Sequence, residues 1–162
     1  MNRAAAVAGA VLVVTVALAI GVARSAPQGH GGSEPAAPAA EDAGLARSSD
    51  QGAVTVDVTP SGAPWGSRAL IFDVAVNTHS VPLSGLDPAA GARLKVDGAE
   101  VKAVFTWTAE AGSSGHHVRG TLRVEAAGAG VPLVPAGASA VTLQISGLGE
   151  GPARVFQWTR NS

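Results

Sequence analysis

The chain has 162 residues, a formal net charge of −1, no cysteine, no tyrosine and a single methionine, Met1. These absences exclude a disulfide framework, thiolate zinc or iron–sulfur centres, a blue-copper site and a cysteine nucleophile. The near-neutral charge offers no global attraction to nucleic acid, which is therefore not expected as a partner.

Hydrophobic residues make up 46% of the chain, and sixteen of them fall in one block, Ala4 to Val22, broken only by Gly9, Thr15 and Gly21. Arg3 precedes the block and Arg24 follows it, the form of an export segment. As a helix rising 1.5 Å per residue it would span about 28 Å, close to the hydrocarbon thickness of a bilayer. Gly21-Val22-Ala23 puts small residues at the first and third positions of a cleavage site, whereas a site ending at Ala26 places Arg24 badly. Residues 1–24 thus read as an apolar helix that is either a cleaved signal peptide or a signal anchor. Both readings put the rest of the chain outside the cytoplasm. It is then a single-pass protein at the cell membrane, held there by its N-terminal segment, or a secreted one if the signal is cleaved.

Residues 25–52 are rich in Pro, Ala, Gly and Ser and contain no aromatic or β-branched side chain. Such a segment buries too little surface to offset its ordering entropy, so it reads as a disordered linker. His30, between glycines within it, is expected to be solvated.

From Ala53 the hydrophobic period becomes two, the strand period. Val54, Val56 and Val58 alternate with Thr55, Asp57 and Thr59. Leu70, Phe72, Val74 and Val76 follow, and after them Asp87-Pro88-Ala89-Ala90 has the form of a single helical turn, capped by Asp87 with Pro88 first. Leu94 and Val96 lead into Asp97-Gly98, a two-residue type I′ hairpin signal. The return strand carries Val101, Ala103, Phe105 and Trp107 on one face. Val118 to Val124, Val141 to Ile145 and Val155 to Thr159 complete the set. Seven short strands over residues 53–162 predict an all-β, immunoglobulin-like β-sandwich, with an up-and-down barrel as the alternative. Phe72, Phe105 and Trp107 share parity with aliphatic neighbours and are expected in the core. In the last strand the aromatic face, Phe156 and Trp158, is expected inward, because those rings bury the most surface.

Three histidines lie at strand ends: His79 in Asn77-Thr78-His79-Ser80, and His116 and His117 after Gly112-Ser113-Ser114-Gly115. Neutral imidazole is the commonest metal ligand, so His79, His116 and His117 are the candidate ligands for Zn²⁺ or Cu²⁺. Strand parity limits this reading: His117 and His79 continue polar faces, while His116 continues the core face of Val118. The competing reading is that the histidines hydrogen-bond their own loops in a structural or protein-interaction domain with an extracytoplasmic partner. A hydrolase would need Ser80, Ser113 or Ser114 as nucleophile, His79 or His117 as base and Asp73 or Asp87 behind it. No Gly-x-Ser-x-Gly elbow surrounds these serines, and no enzyme is expected. Eight basic and eight acidic residues are interspersed over 53–162, as on an ordinary soluble surface.

The segments Phe72 to Leu83, Gly115 to Leu122 and Arg154 to Trp158, with Trp107, resemble a family of uncharacterised exported bacterial and archaeal domains. Those domains carry a Thr-His-Ser element, a later Gly-His-His element and an aromatic final strand. The resemblance spans about residues 54 to 159 and implies that His79, His116 and His117 belong to one recurring pattern. It implies no activity. The acidic residue that often follows the family's first element has only Asp87 as a counterpart, and the lipidated cysteine that often anchors its members is absent.

Overall fold

The computed structural model describes residues 44–149 and 151–160. The apolar block at residues 4–22 and the linker as far as residue 43 lie outside the described residues. Among those described, no helix is long and apolar enough to cross a membrane.

Among the described residues nine strands follow one another: β1 (Arg47–Gln51), β2 (Val54–Pro60), β3 (Ala69–Thr78), β4 (Ala92–Val96), β5 (Ala99–Val101), β6 (Ala103–Ala109), β7 (His117–Ala126), β8 (Ala140–Ile145) and β9 (Arg154–Thr159). They form two antiparallel sheets, a five-stranded one ordered β1-β2-β3-β7-β6 and a four-stranded one ordered β5-β4-β8-β9. Between β3 and β4 a 3-10 turn, Pro88–Gly91, begins where Asp87 Oδ1 accepts the Ala89 N–H at 2.9 Å. This is the short capped turn that the Asp-Pro pair predicts.

The period-two valines explain the layering. Val54, Val56 and Val58 of β2, Phe72, Val74 and Val76 of β3, and Leu122 and Val124 of β7 turn one face of the larger sheet inward. Leu94 of β4, Val141, Leu143 and Ile145 of β8, and Phe156 and Trp158 of β9 face them from the smaller sheet, and all join one core. The Trp158 ring lies 5.3 Å from that of Phe72, tilted by 31°, within the range favoured by aromatic pairs. Its Nε1 donates to the Leu45 carbonyl at 2.6 Å, so the buried indole is not left unpaired. The inward aromatic face expected for the last strand is thus present, with Val155 turned to solvent.

The hairpin signal is also realised. Val96 pairs with Ala99, and Asp97 and Gly98 between them have φ of 48° and 82°. Positive φ at both positions is what a type I′ turn requires and what Asp-Gly tolerates. Asp97 Oδ1 also accepts the N–H groups of Ser139 and Ala140, each at 2.8 Å, which ties the turn to the start of β8.

Three expectations need correction. The linker does not extend to residue 52, because Arg47–Gln51 forms β1 on the edge of the larger sheet, paired with β2. Short polar residues hid this strand: Ser48, Ser49 and Asp50 carry no hydrophobic alternation. The return strand after Asp97-Gly98 is not continuous either. It divides at Lys102, β5 staying with β4 in the smaller sheet and β6 crossing to β7 in the larger one. Among the described residues the count is therefore nine strands and not seven. Finally, Phe105 and Trp107 are half-buried and not fully enclosed, because β6 is an edge strand.

The edges of the two sheets are treated differently. In β1, the antiparallel alternation turns the carbonyls of Ser49 and Gln51 toward β2, and each keeps a second lone pair for another donor. Arg154 of β9 reaches across to both, Nη1 to Ser49 O at 2.8 Å and Nη2 to Gln51 O at 3.2 Å. Arg47 of β1 returns the contact, its Nε donating to the Gln157 carbonyl of β9 at 2.9 Å. Two arginines thus tie β1 of one sheet to β9 of the other, and Arg47 occupies a carbonyl on the open edge of β9. Arg154 is 1% exposed, and burial pushes its guanidinium down from its ordinary pKa, opposed by the nearby Asp50 carboxylate.

Candidate functional site

The three candidate histidines meet at one end of the larger sheet, where β3 runs out and β7 begins. The chain leaves β3 through Thr78, whose buried Oγ1 accepts the N–H groups of Ser80 at 3.3 Å and Val81 at 3.1 Å. A threonine that bonds the backbone two and three residues on makes a tight turn. His79 sits within that turn and is exposed.

The β6–β7 loop is held by its serines. Ser113 Oγ donates toward the Glu110 carbonyl at 3.0 Å and accepts the Arg119 N–H at 3.2 Å. Ser114 Oγ accepts the backbone N–H of His117 at 3.2 Å and of His116 at 3.4 Å, and Ser114 N–H donates to the His117 carbonyl at 2.7 Å. Two of the three hydroxyls considered as nucleophiles, those of Ser113 and Ser114, are therefore engaged in closing this loop. The two loops are then stitched together, Thr78 N–H to His116 O at 3.0 Å and Leu83 N–H to Gly115 O at 2.9 Å. His116 contributes its backbone to this seam while its side chain is exposed.

His117 has a side-chain partner. It stands directly opposite Asn77 in the β3–β7 register, and its Nδ1 is 2.9 Å from Asn77 Oδ1. With the amide oxygen as acceptor, Nδ1 carries the proton and Nε2 is the remaining acceptor. A single imidazole with a fixed tautomer is one ligand, not a site. Among the described residues no group of three His, Asp or Glu side chains is placed to hold a metal ion. The expected set of His79, His116 and His117 is brought to one end of the sandwich but not into a common coordination sphere. His79 lies past the Thr78 turn, His116 precedes the first residue of β7, and His117 is engaged by Asn77.

Beside this seam is an open cleft of about 250 Å³ lined by Leu83, Leu86, Ala109, Ser114, Gly115 and Val118. A larger open crevice, about 420 Å³, lies between β4–β5 and β6, with the exposed Arg93–Glu100 ion pair at its rim. Neither contains a convergent set of titratable side chains of the kind that marks a catalytic site. Reading the sequence by residue type missed Thr78 and Asn77. The first is signalled by its place before an exposed His-Ser pair, the second only by its register opposite His117.

No protein-family model, curated protein or solved structure matches the chain. The likeness of its Thr-His-Ser and Gly-His-His elements to exported domains therefore stands on those residues alone.

Proposed function

We propose that the chain is an extracytoplasmic, non-enzymatic interaction domain of immunoglobulin-like topology, exported and either tethered by residues 1–24 or released. In it, His79, His116 and His117 belong to braced strand ends and not to a metal centre. The observation that carries this reading is the His117 Nδ1···Asn77 Oδ1 bond across a paired position, beside serines committed to the loop backbone.

The strand orders support the fold reading. β2-β3-β7-β6 corresponds to A-B-E-D of an immunoglobulin domain, and β9-β8-β4-β5 to G-F-C with one further strand, β1 being an addition outside A. The apolar block Ala4 to Val22 and the Pro/Ala/Gly-rich stretch after it support export and tethering. A mixed-charge outer face, with Asp57 on β2 and Arg119 and Arg123 on β7 either side of β3, suits a protein partner better than nucleic acid.

The test is calorimetric titration of the full chain with Cu²⁺ and Zn²⁺, beside a His79→Ala, His116→Ala variant. Weak binding that is the same for both proteins is expected. A stoichiometric site present in the wild type and lost in the variant would overturn the reading in favour of metal binding. Covalent labelling by a serine-hydrolase probe would overturn its non-enzymatic part.

A further inference from the structure

Three of the four sheet edges are protected. β9 is covered by Arg47, which bonds the Gln157 carbonyl, β1 carries the charges of Arg47 and Asp50, and β5 is only three residues long. The seven-residue β6 is different. It contains no charge, proline or bulge, and it carries Val104, 54% exposed, on its outer face. Natural edge strands usually have one of these defences, and an edge without them is a template for another strand.

The hydrogen-bond alternation shows which groups of β6 are available. Glu110 N–H donates to Arg119 O, and Ala127 N–H donates to Lys102 O. With the β6–β7 register, these place the bonds toward β7 at the even positions 102 to 110. The N–H and C=O groups of Ala103, Phe105, Trp107 and Ala109 therefore point to the open edge. Among the described residues none of them has a hydrogen-bond partner there.

We propose that β6 pairs with β6 of a second copy of this chain, antiparallel about a twofold axis at Thr106, joining two five-stranded sheets into one of ten. This register satisfies three conditions, the first two through one parity and the third through charge. Phe105 then stands opposite the partner's Trp107, and Ala103 opposite the partner's Ala109, so the outward-pointing odd positions bond one another. Inner-face residues meet inner-face residues, and the half-buried Phe105 and Trp107 form a cross-strand aromatic pair. The exposed Lys102 stands opposite the partner's Glu110, and by symmetry this ion pair forms at both ends. A register slip of one residue, which moves the axis by half a residue, loses both the bonding pattern and the face match. An axis at Phe105 or Trp107 keeps them but parts Lys102 from Glu110, so the ion pair selects Thr106. The proposal is independent of the role given to the histidines.

The chain has no cysteine, so one introduced thiol reports cleanly. At the twofold axis the two Thr106 residues form a non-hydrogen-bonded pair with Cα atoms about 4.5 Å apart, inside the disulfide range. Mild oxidation of the full-length Thr106→Cys chain in detergent is expected to give a disulfide-linked dimer. Thr159→Cys, on exposed β9, serves as the control and stays largely uncrosslinked. Adding Lys102→Glu lowers the dimer yield about tenfold, and adding Glu110→Lys to that variant restores it. In the unmodified chain, amide exchange at Phe105 and Trp107 slows as concentration rises. Cross-linking no greater than the control, or yield indifferent to the charge reversal, overturns the proposal. So does exchange independent of concentration, the result expected if a foreign segment occupies the edge.

Discussion

Arg154 on β9 donates to the Ser49 carbonyl on β1 at 2.8 Å, a bond between sheets made by an arginine that is 1% exposed. A buried guanidinium is stable only where its donors are used, and here the carbonyls of Ser49, Gln51 and Leu148 accept from it. Replacing it removes a second donor from Ser49 and Gln51, whose carbonyls also face β2, and opens a cavity. Arg154→Ala is expected to cost about 2–4 kcal/mol in urea unfolding, and Arg154→Lys less, because one donor survives without the fork. A loss under about 0.5 kcal/mol for the alanine variant would show that water replaces the bonds, as it does at exposed sites.

Gly120 lies on the inner face of β7 directly under Trp107. A Cβ there would come within 2.6 Å of the indole Cη2 and would also strike the Thr108 carbonyl. Gly120→Ala must displace the ring or bend β6, at a cost of about 1–3 kcal/mol. The accompanying sign is a red-shifted tryptophan emission at unchanged far-UV circular dichroism. Unaltered stability and emission would mean that the strand yields without moving Trp107.

Asp97 serves two purposes, occupying φ of 48° in the hairpin and accepting two N–H groups from the start of β8. Asp97→Ala removes both and is expected to lower stability by about 1–3 kcal/mol. Asp97→Asn keeps the tolerance for positive φ and one acceptor oxygen, so it should lose less than half as much. Equal losses in chemical denaturation would assign the effect to the charge alone.

Trp158 joins the Phe72 ring to the Leu45 backbone. Trp158→Phe retains an aromatic ring but loses the 2.6 Å bond to Leu45 O, and a drop of about 1–2 kcal/mol is expected by thermal or urea unfolding. Leu45 and β1 should become more open to protease in this variant. Unchanged cleavage there would show that Arg47 and Arg154 hold the segment without the indole.

The reach of the sequence follows from the physics of each element. β2, β3 and β8 were legible because a buried face every second residue is a direct consequence of the strand period, and Asp97-Gly98 because few dipeptides accept two positive φ values. β1 was not legible. Its stability comes from pairing with β2 and from Arg154, more than a hundred residues away, not from its own side chains. The division at Lys102 was equally hidden, since parity runs unbroken from Val101 to Trp107 while the chain changes sheets. At the site, residue type marked His117 but not Asn77, whose role depends on register. Residue type also suggested a three-histidine cluster, but among the described residues no such group is placed to hold a metal ion, and His79 lies past the Thr78 turn.

The bracing role of His117 is tested most directly by a double-mutant cycle on His117→Ala and Asn77→Ala, read by urea unfolding of the full chain. The bond predicts a coupling energy of about 0.5–1 kcal/mol, the double variant losing less than the sum of the two single losses. Strictly additive losses would contradict it and leave His117 as an unengaged surface imidazole.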